Sequence, residues 1–447
     1  VGSPEAVGEA AFQGIKRASE VLDMSQHSGT HPRMGATDVC PFIPVSDVTI
    51  EECVELSKQI GNRVGDELGI PVYLYEKSAQ KDNRFKLPDI RKGEYEGRAE
   101  KLTDANWKPD FGPGKLHIKA GVTVMGCREF LIAYNINLNT KDHRLATDIA
   151  FELREAGRRK RTPNPNSKNL LDGEIVRNED GSPVKVPGMF KDVKGIGWYV
   201  DIYNRAQISI NFNNFKVSTI HDVFDEACTL ANERGIRVTG SELVGLIPLE
   251  AMLMAGRHYL NKQNRSLGVP TADIVECAVQ SLGLNDVTEF DPNVKIIDYA
   301  VQSEDRPLMN LVGKEFVEEL STNSPAPGGG SVSALAGALG AALSSMVAAL
   351  SHEKKELLDL KPEMDEIGIE AQNIKDRLSF LVDEDTNAFN KVMDANRLSA
   401  TNDEEQIAKN QAIEIANKYA IEIPLETAKK CFRVIELADK LVEKGNP

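Results

Sequence analysis

Cysteine is scarce in this sequence: six in 447 residues. Cys40, Cys53, Cys127, Cys228, Cys277 and Cys431 are scattered, with no C-x-x-C spacing. This excludes a disulfide-stapled scaffold and a cysteine-based zinc site, and it fits reduced thiols in the cytoplasm. Excess basic charge is also missing. Lys and Arg number 53 against 68 Asp and Glu, a formal net charge of −15. Nucleic acids and membrane surfaces attract net basic faces, so neither is an expected partner. A local Arg or Lys cluster can still hold a small anion. No secretory leader is expected in the opening residues: 1–5 (VGSPE) show no Met, no basic n-region and no apolar core. Both ends read as cuts within a longer protein, so truncation at each is expected. No internal repeat at solenoid periods is found.

What is present is ordinary globular material, 41% hydrophobic and 27% charged. The length allows roughly two to four domains. Up to about residue 302, strand patterns alternate with helical ones, the mark of an α/β layer. Helical spacing predicts helices over residues 4–22, 50–68, 143–156, 220–231, 249–259 and 271–282. Thr49 and Glu52 form a capping box, and Gly69 closes the helix they open. Strands are expected over 39–45, 71–75, 115–124, 129–138, 197–202 and 206–212. Residues 158–190 read as a surface insertion with a turn at Asp180-Gly181. Its leading basic run, Arg158 to Arg161, suits either an anionic tail or plain solvation.

Residues 303–330, rich in Ser, Pro and Gly, mark a boundary. Beyond it the pattern is entirely helical. The run 331–351 is apolar enough to suggest a membrane span. Its Ser331, Ser333, Gly337, Gly340, Ser344 and Ser345 instead suit close helix–helix contact in a bundle or oligomer, so no span is expected.

Five features carry chemistry. His27 and His31 lie four residues apart, but Gly29 and Pro32 break the helix that shared zinc ligation needs. A loop imidazole beside Arg33 and Asp38, running into a strand, suits acid–base work. Arg33 either reaches a carboxylate with its bidentate fork or braces the loop through Asp38. Asn135 and Asn137, with Gln207, Ser209 and Asn211, line the polar faces of two alternating strands; solvent exposure is the plain reading and a shared cleft for a flat heterocycle the sharper one. Gly188 to Gly197, with Lys191 and Lys194, suits an anion approached closely by backbone. Pro327-Gly328-Gly329-Gly330-Ser331 puts glycines at a helix N-terminus, an anion-binding arrangement lacking the Lys of a nucleotide-phosphate loop. Finally, Leu378, Val382, Asp385, Phe389 and Val392 recur at four, three, four and three, which seats Asp385 in a core seam and turns Asp383 and Glu384 away from it. A core carboxylate must be paired, at an interface, or catalytic.

Several of these stretches, HPRMG (31–35), DVCPFIPV (38–45), FLIAYNINL (130–138), VKGIGWY (193–199) and GLIPL (245–249), resemble glutamate formimidoyltransferase. APGGGS (326–331) and the helix after it resemble formimidoyltetrahydrofolate cyclodeaminase, and the order matches the bifunctional family. The resemblance implies two α/β subdomains, with mixed sheets, helices on their outer faces and a folate cleft between the sheets, followed by an all-α bundle. The divisions would be 1–128 and 129–305 for the transferase, 306–326 for a linker and first helix, and 327–447 for the cyclodeaminase. It implies formimidoyl transfer from N-formimidoyl-glutamate to tetrahydrofolate, then cyclisation to 5,10-methenyl-tetrahydrofolate with release of ammonia, in histidine degradation. Tetrahydrofolate, with or without a polyglutamate tail, would be co-substrate; no metal is expected. By resemblance His31 and Asp385 are catalytic. Arg33, Gly112, Lys115, Gly121, Gly188, Lys194, Gly195, Gly197, Asn135, Asn137, Gly329 and Ser331 would contact substrate or folate. The family's first strand–helix unit and last cyclodeaminase helices are not found here. A homo-oligomer through the helical domain is expected. A transferase with a purely oligomerising helical part, and a non-catalytic folate binder, are the competing readings.

Overall fold

The computed structural model describes residues 1–28, 32–46, 48–301 and 306–446. Helix α1 (Pro4–Val21) starts at Ser3, whose Oγ accepts the Ala6 N–H at 3.3 Å, with Pro4 in the first turn. It buries Phe12 and Ile15 against α2 (Ile50–Leu68), which opens on the Thr49–Glu52 capping box and ends at Gly69 with φ +63°. Each such buried side chain contributes about 1.5–3 kcal/mol. Strands β1 (Val39–Phe42), β2 (Val72–Glu76) and β3 (Thr123–Cys127) form a parallel sheet in the order β1-β3-β2. β3 starts later than the strand expected from residue 115, because residues 117–121 close a turn, Gly121 N–H to His117 O at 2.7 Å.

The second sheet is antiparallel. It contains β4 (Ile132–Leu138), β5 (Val193–Val200), β6 (Arg205–Phe212) and β7 (Val238–Val244), in the order β7-β4-β6-β5. Strand directions are therefore mixed between the sheets, not within either one. Tyr134, Ile136, Leu138, Ile208, Ile210 and Phe212 form the buried face, covered by α3 (His143–Leu153), α4 (Ile220–Glu233), α5 (Leu249–Lys262) and α6 (Thr271–Leu282). The insertion holds two short antiparallel pairs, and its turn at Gly181 has φ +80°. Its basic run is only partly solvated. Arg158 pairs with the fully buried Asp148, and Arg161 donates to the carbonyls of Leu171 and Gly173 at 3.0 and 2.7 Å. Those two arginines brace the insertion and are not free to meet an anionic tail.

The remaining chain is helical: α7 (Gly329–His352), α8 (Lys361–Arg397) and α9 (Asp403–Lys444), preceded by a short helix, Gly313–Leu320. α7 is long and apolar enough to cross a membrane. It packs instead among α8 and α9: a Cβ at Gly337 would stand 2.5 Å from Cys431 Sγ, and one at Gly340 would stand 3.1 Å from Val434. The loop between α5 and α6 docks on this bundle. Ser345 Oγ donates to Gly268 O at 2.8 Å, Leu267 N–H to Asp365 at 2.9 Å, and Gly268 faces Gly368 with no room for a side chain.

Candidate active sites

His31 lies outside the described residues, but the loop that follows it is tightly held. Met34 is fully buried, and its N–H donates to Asp38 Oδ1 at 2.6 Å. Ala36 N–H donates to Ala120 O at 2.8 Å, and Val122 N–H to Met34 O at 3.1 Å. Gly35 and Gly121 make this closeness possible. A Cβ on either would come within 2.1 Å of the opposing carbonyl, and Gly121 has φ +72°. Gly121, one of the expected folate contacts, is thus joined to the loop that follows His31. Gly112 (φ +80°) turns against Gly65 and Ile70, and Lys115 is exposed.

Arg33 requires a correction. Its fork is occupied by Glu96, through Nη1 at 2.9 Å and Nη2 at 2.6 Å, and it also donates to Glu94 and to His27 O. Asp38 is paired elsewhere, with Arg91. Arg33 therefore braces the loop, and it draws the Glu96 carboxyl down to about 2. A substrate carboxylate finds no free fork here.

The polar face of the second sheet is buried over one part and open over another, where Asn211 is exposed. Asn137 and Gln207 are fully buried and Asn135 nearly so. Gln207 donates to Asn137 at 2.7 Å and to Glu242 at 3.2 Å; Asn135 donates to Glu242 at 3.3 Å and Asn137 to Asp286 at 2.9 Å. Arg205 and Thr239 close the network on Asp286, and Tyr203 closes it on Glu242 at 2.9 Å. On the same face Ile196 and Trp198 remain exposed, beside Lys194. This is an apolar, aromatic edge next to convergent polar groups, a composition suited to a flat heterocycle.

The glycines of 188–197 have a different explanation from the expected one. A Cβ at Gly188 would meet Arg154 O at 1.8 Å, and one at Gly197 would meet Thr147 N at 2.0 Å; Gly195 lies over Ala150. The close approach they permit is taken up by α3. Lys191 and Lys194 are the exposed cations of this group.

In the helical domain two separately read motifs meet. Asp385 Oδ2 accepts the Ser331 N–H at 3.0 Å and lies 3.4 Å from Ser331 Oγ, which is also 3.4 Å from Thr386 Oγ1. A Cβ on Gly330 would fall 2.1 Å from the carboxylate. The anion at this helix N-terminus is thus the protein's own, and it draws on the positive end of the α7 dipole. Gly329 opens the helix, with no atom within 4 Å of an added Cβ. Asp385 is half-buried, not in the core. The buried carboxylate is Asp383, which accepts the Leu308 and Met309 N–H groups at 2.7 and 3.2 Å. The seam 378–382 does not continue through 385 and 389, because beyond Val382 the buried side passes to Ala388 and Ala395.

Comparison with known proteins covers nearly the whole chain. Residues 1–128 match the N-terminal subdomain of the formiminotransferase domain, 133–302 the formiminotransferase domain, and 313–447 formiminotransferase-cyclodeaminase. Formimidoyltransferase-cyclodeaminase of Dictyostelium discoideum is 42% identical over 433 residues, 96% of this chain and 75% of that protein. The chain belongs to the formimidoyltransferase-cyclodeaminase family. The family's Mus musculus member is 40% identical over the whole of this chain and 78% of its own length. Glutamate formimidoyltransferase of Streptococcus pyogenes serotype M1 is 40% identical over 59% of this chain and 78% of its own length.

In this family member, sequence reading missed Glu242 and Asp286. Glu242 sits on β7, a strand the pattern did not reveal, because its Gly240 and Ser241 interrupt the apolar alternation. Asp286 follows α6 in a loop that carries no periodic signal.

Proposed function

We propose that the chain transfers a formimidoyl group from N-formimidoyl-glutamate to N5 of tetrahydrofolate, then closes 5-formimidoyl-tetrahydrofolate to 5,10-methenyl-tetrahydrofolate and releases ammonia, as histidine degradation requires. The observation that carries the second activity is the Asp385 carboxylate held at Gly330 and Ser331 on the α7 N-terminus. A carboxylate fixed this way takes the proton from N10 as N10 attacks the amidine carbon. It then delivers that proton to the departing nitrogen, which leaves as ammonia. His31 does the equivalent work in the first reaction: its imidazole takes the N5 proton and returns it to the glutamate nitrogen. Support for the folate face comes from Trp198 and Ile196 beside Asn135, Gln207 and Glu242, with Lys194 as the nearby cation. Tetrahydrofolate is a co-substrate in both steps.

The helical domain is read as self-associating. Leu339, Leu343, Met346 and Leu350 form one exposed stripe on α7, at spacings of four, three and four. A cytoplasmic location is supported by six free thiols. Burial pushes Cys40 and Cys228 up to about 11.

The test is a crossed pair of variants. His31→Ala should abolish formimidoyl-glutamate consumption and spare ammonia release from supplied 5-formimidoyl-tetrahydrofolate. Asp385→Ala should do the reverse. Loss of both activities in either folded variant defeats the assignment.

A further inference from the structure

Helices α4 and α5 bring together a group of side chains that neither proposed reaction uses. His221 opens α4 and is 8% exposed. Its Nδ1 is buried without a hydrogen-bond partner, and its Nε2 lies 3.9 Å from Asp222 Oδ1, beyond hydrogen-bond range. The His258 ring from α5 stacks on it with centroids 4.3 Å apart. His221, Asp222 and His258 each offer a ligand atom within 4.8 Å of the other two.

The surroundings prepare these three groups as donors. Asp222 Oδ2 takes the Thr219 hydroxyl at 2.6 Å, which orients the carboxylate and leaves Oδ1 towards His221. His258 Nε2 is engaged by Asp225 Oδ2 at 2.9 Å, which leaves the Nδ1 lone pair of that ring as its donor. Asp225 is itself held by Tyr259 OH at 3.1 Å and Lys262 Nζ at 2.8 Å. Its charge is therefore met, and its part is to fix His258, as carboxylates behind metal-bound histidines do. Asp222, 54% exposed at its side chain, leaves the group open to solvent on one side.

We propose that His221, Asp222 and His258 form a site for one divalent transition metal, with zinc the best match. Two imidazoles and one carboxylate are a donor set that zinc takes, a water filling the fourth position; calcium and magnesium prefer all-oxygen sites. The ion would tie α4 to α5 on the outer side of the second sheet. It plays no part in formimidoyl transfer or cyclisation.

Full-length protein stripped with a chelator and titrated with cobalt(II) should develop visible absorption at one equivalent per chain, and zinc should displace it. His258→Gln and Asp222→Asn alter half-buried and exposed positions, and circular dichroism reports whether each still folds. Each folded variant should bind about 100-fold more weakly or worse. No stoichiometric cobalt absorption from the wild-type chain, or binding that survives in both folded variants, overturns the site.

Discussion

Asp148 is fully buried between Arg158 and Arg234, with Glu152 completing the cluster; Leu339, Leu343, Met346 and Leu350 lie in the open along α7. The sheet-bearing part thus pairs the buried Asp148 carboxylate within one chain. The helical part leaves an apolar stripe uncovered, and α9 adds exposed Phe432 and Ile435. The same contrast runs through the two candidate sites. The loop of His31 is clamped by glycine-to-carbonyl contacts and by Arg33–Glu96, whereas Asp385 sits half-buried at a helix end. The residues that follow His31 are thus held by tertiary contacts within the chain, whereas Asp385 stands at the end of a helix whose apolar stripe is exposed.

Four variants would sharpen or break this contrast. Gly330→Ala has the largest expected effect. Its methyl occupies the place of the Asp385 carboxylate, so ammonia release should fall by about 10²–10⁴-fold while formimidoyl transfer is unchanged. Retained release would mean that Asp385 need not stand where it does. Asp148→Ala strands Arg158 and Arg234 in the core and should cost about 3–5 kcal/mol in urea unfolding. A loss below about 1 kcal/mol would show that the cluster gains little over its desolvation. Leu343→Glu should leave folding of the single chain within about 0.5 kcal/mol but lower the mass seen by sedimentation. An unchanged mass would remove the α7 stripe as an interface.

Glu76→Gln has the smallest expected effect and reads the approach of the two subdomains. Burial raises the Glu76 carboxyl above its ordinary range, and Lys194, Arg128 and Lys77 oppose the shift. A raised native pKa favours the protonated form on folding. Its contribution is therefore complete below the unfolded value of about 4.3 and is lost as pH rises through the native one. The melting temperature of wild type relative to Glu76→Gln should fall between acidic and neutral pH. A rise over that interval would mean that Lys194 and its neighbours outweigh burial.

Much of the fold was legible from local pattern. Helix positions followed the apolar spacing, and the Thr49–Glu52 box and Gly69 marked both ends of α2. The small-residue run after Gly328 foretold close packing, which Gly337 and Gly340 provide. Less legible were β7, where small residues blur the alternation, and the stretch before β3, where residues 117–121 form a turn. The register of Asp385 failed for a physical reason. Along a helix of 37 residues the buried side follows its changing neighbours, so a seam counted from Leu378 does not hold past Val382.

By itself the sequence determined the division into an α/β part and a helical part, most helix limits, and the residue types able to move protons. Only the tertiary structure decided what each charge meets. Ser331 and Asp385 are 54 residues apart, Arg33 and Glu96 63, and Asn137 and Asp286 149. Periodicity is a local property of a chain, written by backbone geometry every few residues. The partner of a carboxylate or guanidinium is chosen by desolvation and direction once distant segments are packed together, and no local pattern encodes that choice.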